Sequence, residues 1–212
     1  MGSLSAVLLG FLLGVRHAVD PDHVVAVGTM ATRSASFRRS AGLGALWGAG
    51  HTMTVMVVGG GIVLLRTALS PRVALAMEFG VAIMLIVLGV TNLLRARYDE
   101  PVTGAFRPLV VGMVHGMAGS AAIALLVLAT IRETALGLLY LLCFGVGTIA
   151  GMVAVTALLV LPVSVVLTRA GISRRWLTAA SGLASLALGV FLAHALGGPA
   201  ALVAAAPAYL AR

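Results

Sequence analysis

One otherwise apolar segment, GVRHAVDPDHVVAVGTM (residues 14–30), carries four ionisable side chains of the kind that bind metal. They are two imidazoles and two carboxylates: His17, Asp20, Asp22 and His23. Imidazole nitrogen and carboxylate oxygen are both ligands of divalent metals. A polar cluster that only packs helices is the structural alternative. So many titrating groups within one apolar segment favour a functional metal site.

The spacing of the two histidines requires a break in the helix if both are to bind one ion. His17 and His23 are six residues apart, which places them about 120° apart around a straight α-helix. Pro21 lacks an N–H, frees the carbonyl of His17 and disfavours the α conformation at Asp20. We therefore expect the first helix to break near Pro21, so that His17, Asp22 and His23 surround one site. Such a break is tolerated at membrane depth where it lines a cavity or is buried in protein.

Arg16 is a candidate counter-ion for one of the carboxylates. It precedes Asp20 by four residues, within reach if the helix extends that far. We expect Arg16 to neutralise Asp20 and to leave Asp22 as the charged ligand, so Asp20 is only a secondary candidate for binding metal. Replacing Arg16 should then impair folding more than metal selectivity.

Three further histidines lie in later apolar segments. His51 follows Gly48 and Gly50 in GAGHTMTV; because small residues allow helices to approach closely, we expect His51 to join the site. His115, in GMVHGMAGS, is a candidate ligand whose alternative roles are gating or orienting another ligand. His194 lies near the end of the last apolar segment, where an interfacial histidine is expected.

The ligand types predict which ions the site would hold. Imidazoles with one carboxylate favour Ni²⁺, Co²⁺, Zn²⁺ or Cu²⁺ over Mg²⁺ or Ca²⁺, which prefer oxygen ligands. Cys143 is the only cysteine, so neither a thiolate cluster nor an intramolecular disulfide is possible. The metal is expected as a substrate, and no prosthetic group is predicted.

The composition places these segments in a membrane. Of the 212 residues, 61% are hydrophobic and 9% are charged, whereas soluble domains carry about 25% charged residues. We predict an all-α integral membrane protein within a lipid bilayer. The net charge of +8 comes from arginines, nearly all of which lie between the apolar runs. That distribution is typical of loops beside a membrane, and no nucleic-acid partner is predicted.

Six apolar segments are long enough to cross a bilayer, which takes about 20 residues: 4–31, 40–65, 73–95, 108–130, 135–167 and 176–196. The fifth is long for one span, and Pro162 is expected to end or kink it. The first, third and fifth connections hold nine arginines, against four in the other connections and the C-terminal tail. This asymmetry predicts odd connections in the cytoplasm and the N-terminus outside.

The two halves of the chain resemble each other. Residues 14–32 match residues 112–130 at five positions, one of which pairs His17 with His115. LWGAGHT in the second segment lies over CFGVGTI in the fifth at nearly the same offset. Three helices per unit means that the second copy enters the membrane from the opposite side.

We therefore predict a 3+3 inverted repeat with its site near the midplane. The units are residues 1–100, which contain the metal motif, and residues 101–198, followed by a short tail at 199–212.

The histidine motifs are similar to those of a known family. RHAVDPDHVVAVGT resembles the H-x4-D-H signature of the nickel/cobalt transporter family, with His17, Asp22 and His23 at the matching positions. GHTMTV, around His51, resembles its second motif, and GMVHGMAGSAAIALLVL looks like the urease-accessory-type (UreH-like) nickel permease branch. The resemblance implies transport of Ni²⁺ or Co²⁺ across the bacterial cytoplasmic membrane, usually inward, and a role for these four residues. Larger members differ in having an extra leading helix and acidic motifs in the second half.

Other function classes share parts of this pattern. A metal exporter on the same scaffold has the same binding chemistry, and a non-transporting metal-binding membrane protein is a further alternative. An intramembrane enzyme needs a nucleophile beside a base, but His115 and Ser120 are five residues apart on poorly matched helix faces. We expect a transporter without enzymatic activity, which works by alternating access through a midplane His/Asp site. Oligomeric state and accessory subunits are left open.

Overall fold

A computed structural model of the chain describes residues 3–31, 37–67, 70–96, 106–117, 128–131, 133–169 and 173–197. Within these ranges all regular secondary structure is helical. The seven helices are α1 Ser3–His17, α2 Pro21–Ala31, α3 Phe37–Leu65, α4 Pro71–Arg95, α5 Phe106–His115, α6 Thr134–Arg169 and α7 Arg174–Ala195. Helices suit a bilayer because they satisfy their backbone hydrogen bonds internally.

The first apolar segment consists of two helices that meet at a bend of 57°. α1 ends at His17 and α2 begins at Pro21, where a proline needs no N–H and its fixed φ favours a new helix. The Val19 N–H donates to the Arg16 carbonyl and the Asp20 N–H donates to the His17 carbonyl. These bonds satisfy backbone groups that the break would otherwise leave unpaired. The predicted break near Pro21 is confirmed.

In the described part of the chain, four helices are long and apolar enough to cross a bilayer: α3, α4, residues 134–159 of α6, and α7. The bent α1–α2 pair makes a fifth if it counts as one span. The chain is therefore a multi-pass membrane protein. The fourth predicted span, 108–130, is described only in part, and the predicted tail at 199–212 lies outside the described residues. α6 continues past Pro162 to Arg169, so that proline does not end the helix.

α3 and α6 are central to the packing of these helices. α6 packs against both α1 and α3, α5 packs against α3, and α4 packs against α7. α2 contacts α3, α4, α6 and α7. The bent segment therefore packs both against the α3–α6 pair and against the α4–α7 pair. One buried cluster joins residues from five of these helices, among them Val27, Trp47, Leu85, Val111 and Met152.

Close helix contacts occur at glycines, where no Cβ keeps the backbones apart. A Cβ at Gly14 would overlap the Phe144 carbonyl oxygen in α6, and a Cβ at Gly112 would overlap the Trp47 carbonyl oxygen in α3. Gly112 lies 98 residues after Gly14, and Phe144 lies 97 residues after Trp47. The contact between α1 and α6 therefore has a counterpart between α5 and α3.

The α4–α7 pair also contains a repeated contact. A Cβ at Gly89 would lie 2.7 Å from the Gly182 carbonyl oxygen, and one at Gly189 would lie 2.8 Å from the Ala82 carbonyl oxygen. Gly189 and Gly182 lie 100 residues after Gly89 and Ala82, respectively. Each helix thus approaches the other through equivalent positions.

Candidate metal centre

Four of the five histidines meet inside the helix bundle. His17 ends α1, His23 lies in the first turn of α2, His51 lies in α3 and His115 ends α5. Their exposed fractions are 4%, 0%, 0% and 0%, respectively. The ring of His23 is central, because its centroid is 4.0 Å from that of His115, 4.4 Å from that of His17 and 5.3 Å from that of His51. Three other helices, α1, α3 and α5, therefore each bring a histidine to the ring of His23.

The first group of ligands, here called the imidazole triad, is His17, His23 and His51. One ring nitrogen of each lies within 4.8 Å of the others. The Nε2 atoms of His17 and His51 are 3.2 Å apart, within hydrogen-bond distance. Two nitrogens bound to one metal at about 2.1 Å lie about 3.0–3.4 Å apart at octahedral or tetrahedral angles. This pair is therefore already at the spacing of two ligands of one ion.

The second group, here called the aspartate triad, is Asp22, His23 and His115. The Asp22 Oδ1 atom is 3.0 Å from His23 Nδ1, and its Oδ2 atom is 3.0 Å from His115 Nε2. The carboxylate thus connects α2 to α5. His23 belongs to both triads, so the predicted ligands form two overlapping groups and not the single site expected from the sequence.

Asp20 contacts His17 and not Arg16. Its Oδ2 atom accepts a hydrogen bond from His17 Nδ1 at 2.9 Å. Arg16 is exposed on α1 and forms no ion pair with any residue in the described ranges. The expected Arg16–Asp20 pair is therefore wrong. The turn at the break directs Asp20 back to the ring that ends α1, whereas Arg16 lies on the outer face of that helix.

The two carboxylates fix which ring nitrogens of their partners carry hydrogen. An ionised carboxylate only accepts hydrogen bonds, so the hydrogen of neutral His17 sits on Nδ1, facing Asp20. The hydrogen of His23 likewise sits on Nδ1, facing Asp22. The lone pairs of both rings are then on Nε2. Carboxylates that orient histidines in this way are common around metals, where they also raise ligand basicity.

Several buried ring nitrogens of the centre have no hydrogen-bond partner. They are His23 Nε2, His51 Nδ1 and His115 Nδ1, and no described atom pairs with them. Buried polar atoms without a partner are uncommon in folded proteins. A metal ion is the natural partner of an imidazole lone pair, and His23 Nε2, on the ring that both triads share, is a candidate atom to bind one.

Aromatic rings form the apolar wall of the centre. Trp47 stacks on His23 with centroids 5.7 Å apart and meets His115 edge-on at 5.5 Å. Phe144 lies 5.4 Å from His17. An apolar wall limits the access of water to a metal site. Neither ring was among the residues predicted for the site, although LWGAGHT matches CFGVGTI with Trp47 over Phe144. That match is the signal in the sequence that could have identified them.

All the predicted principal ligands come together, and the remaining histidine does not. His17, Asp22, His23, His51 and His115 form the two triads, while Asp20 contacts the first through His17. His194 is exposed in the last turn of α7, outside both triads.

Comparison with known proteins adds an observation that is independent of the geometry. Residues 3–100 match the NicO family model, described as high-affinity nickel-transport protein. The urease accessory protein UreH of Bacillus sp. (strain TB-90) is 37% identical over 177 residues, which cover 75% of this chain and 78% of that protein. No solved structure matches the chain significantly. The family match covers the whole imidazole triad and Asp22 but ends before His115.

Proposed function

Because this chain belongs to the NicO high-affinity nickel-transport family, in its UreH-like branch, we propose that it carries Ni²⁺ inward across the bacterial cytoplasmic membrane, with Co²⁺ as an alternative cargo. Membership makes it a transporter and not an enzyme. The observation that carries the assignment of the site is the convergence of four buried histidines and one carboxylate from four helices. We place the cargo there.

The donor set supports a late first-row cation as the cargo. Imidazole nitrogens dominate both triads, and they bind Ni²⁺ and Co²⁺ far better than Mg²⁺ or Ca²⁺, which prefer oxygen. Binding between His17 and His51 replaces the hydrogen that their Nε2 atoms now share. That hydrogen moves to His51 Nδ1, which has no partner among the described residues. The Nε2 lone pairs of both rings are then available to the ion.

We infer an inverted repeat of residues 1–100 and 101–198 and transport by alternating access between these units. The support is the recurrence of helix contacts: Gly14 with Phe144 and Gly112 with Trp47 are equivalent under an offset of 97 or 98 residues. Rocking of the units would expose the centre to one side at a time. An inside-negative potential of 100 mV favours entry of a divalent cation by about 4.6 kcal/mol, so the potential alone can drive uptake. The N-terminus is placed outside, as the arginine distribution favours.

Flux into liposomes tests this function. The purified chain is reconstituted with a nickel-sensitive dye inside the vesicles, and an inside-negative potassium diffusion potential is applied. We expect Ni²⁺ and Co²⁺ to enter through the wild type and the His194→Ala control, and Mg²⁺ to be excluded. His23→Ala removes the central ring of both triads and should abolish entry.

Three results would contradict the proposal in different ways. If vesicles that contain the wild type admit neither Ni²⁺ nor Co²⁺, the protein does not transport these ions and the proposed function is wrong. If Ni²⁺ enters through the His23→Ala variant at the wild-type rate, the transported ion does not bind at this centre. Flux that runs only outward under either sign of potential, with the orientation of the reconstituted chain known, would make the protein an exporter.

A further inference from the structure

We propose that the centre offers its cargo two overlapping positions, one in the imidazole triad and one in the aspartate triad, and that the ion passes between them with His23 as the shared ligand. The inference rests on the proposed function, since it assigns the path of the transported ion within the same centre. It separates the roles of His51 and His115, which the motifs alone do not distinguish.

Geometry excludes a single ion held by all five side chains at once. Among the described residues, the ligand atoms of each triad all lie within 4.8 Å of one another. No group of four of these side chains meets that distance. The rings of His51 and His115 are the most distant of the neighbouring pairs, with centroids 6.3 Å apart. Each of these two histidines therefore belongs to only one triad.

His23 can serve both positions without leaving its place in α2. Its Nδ1 atom faces Asp22 at 3.0 Å, and its Nε2 atom, on another edge of the same ring, has no hydrogen-bond partner among the described residues. We assign Nδ1 to the aspartate triad and Nε2 to the imidazole triad. The neutral ring keeps one hydrogen, which sits on whichever nitrogen is not bound to the ion. A transfer then needs no rotation of the buried ring.

The two positions differ in charge and in the helices that build them. All ligands of the imidazole triad are neutral rings from α1, α2 and α3. The aspartate triad includes a carboxylate and depends on His115, which ends α5 in the second half of the chain. Because the positions share a ligand and two divalent cations repel each other at such short range, we expect one ion per chain at a time. Movement of α5 relative to α2 would open the second position and leave the first intact.

Cobalt serves as the probe for the two positions, because its visible spectrum reports the number and type of its ligands. The wild-type chain and four variants, each full length and in detergent, are titrated with Co²⁺. His51→Ala removes a ligand of the imidazole triad only, whereas His115→Ala and Asp22→Asn each remove a ligand of the aspartate triad only. The His51→Ala/His115→Ala double variant removes one ligand from each.

We expect Co²⁺ binding to fall far more when both triads lose a ligand than when only one of them does. If the positions are equally occupied, loss of either one lowers the apparent affinity only about twofold, because the other still binds. His51→Ala and His115→Ala should therefore each bind one Co²⁺, with different spectra, and Asp22→Asn should reproduce the spectrum of His115→Ala. The double variant should lose binding far beyond the product of the single effects, which is the mark of coupled sites.

Flux in liposomes supplies the second readout. Both positions are needed for passage, so His51→Ala and His115→Ala should lose Ni²⁺ flux although they still bind metal. His194→Ala should match the wild type in both assays. Asp22→Asn gives the same test of the aspartate triad if His115→Ala fails to fold, as judged by size-exclusion chromatography.

Two outcomes would overturn the inference and leave the proposed function in place. One is wild-type flux in both His115→Ala and Asp22→Asn, which would make the imidazole triad the only position. The other is abolition of Co²⁺ binding in each single variant, as severe as in the double variant, which would mean one site that needs every ligand. If the wild type neither binds nor transports metal, the proposed function itself is wrong.

Discussion

Each of three histidines in the centre has one ring nitrogen hydrogen-bonded to a carboxylate, and this contact orients the ring. Asp20 holds His17, while Asp22 holds both His23 and His115. The carboxylates differ in exposure, with 28% of the Asp20 side chain accessible against 15% of that of Asp22. Only Asp22 belongs to one of the triads, so we expect Asp22 to bind the metal directly and Asp20 to act on it through the ring of His17.

Removing the Asp20 carboxylate should weaken metal binding without removing a ligand. Loss of a carboxylate that orients a metal-binding histidine typically costs about 10–100-fold in affinity, and we expect Asp20→Ala to fall in that range for Ni²⁺. Asp20→Asn should recover part of the loss, since its amide oxygen can still accept from His17 Nδ1. Calorimetry on the purified chain measures both variants.

Arg16→Ala is the matched control for this prediction. Arg16 is exposed and has no ion pair in the described part of the chain, so its replacement should change Ni²⁺ affinity little. A loss equal to that of Asp20→Ala would restore the counter-ion role that the sequence suggested.

Trp47 should report metal binding by its fluorescence. Its ring contacts His23 and His115, close enough for an open-shell Ni²⁺ ion at either triad to quench it. The second tryptophan, Trp176, is 63% exposed on α7. Saturable quenching by Ni²⁺ should therefore persist in Trp176→Phe and disappear in Trp47→Phe. Persistence in Trp47→Phe would place the ion elsewhere.

At the scale of elements, the centre depends on how closely α5 lies against α3. A Cβ at Gly50 would overlap the Leu109 carbonyl oxygen and lie 3.0 Å from the Met113 nitrogen. Since Gly50 precedes His51 and the contacted turn of α5 precedes His115, this contact sets the spacing between ligands on two helices. Backbone atoms cannot yield as a flexible side chain does, so any added atom must push α5 away.

Gly50→Ala should therefore destabilise the fold and weaken the aspartate triad. Overpacking of this kind costs about 1–3 kcal/mol, which a fall in the unfolding temperature in detergent would reveal. Gly42→Ala, also within α3, adds its methyl to open space and should be neutral or stabilising by up to about 1 kcal/mol. Equal effects of the two substitutions would show that α5 does not approach α3 this closely.

The whole molecule combines a bent first segment with helix contacts that recur about 100 residues apart. This recurrence favours two units that move against each other, and the arginine distribution favours one orientation for both. Under that orientation the second connection lies outside the cell and the fifth lies in the cytoplasm.

Cysteine labelling tests the orientation of the molecule. In a Cys143→Ala background, Thr67→Cys places a thiol in the second connection and Ser173→Cys places one in the fifth, both at exposed positions. A membrane-impermeant maleimide added to intact cells should modify the first thiol only, and lysis should make the second reactive. The reverse pattern would put the N-terminus in the cytoplasm.

The sequence alone determined the features that depend on composition and on near neighbours in the chain. The excess of apolar residues fixed the membrane class, because a bilayer is the solvent in which such a surface is stable. Pro21 fixed the break, because its ring and missing N–H act on adjacent residues. The motif around His17, Asp22 and His23 identified the chemistry, since those donor types select the metal.

Only the tertiary structure decided which atoms face one another. The hydrogen bond from His17 to Asp20, the central place of His23 and the contacts of Trp47 all depend on helices packed side by side. Asp22 and His115 are 93 residues apart in the chain, and no local rule relates them. Their contact exists because α5 approaches α3 at Gly50 and α2 turns at the break. Ligand identity is a property of the residues, whereas the division of the ligands into two triads is a property of the packing.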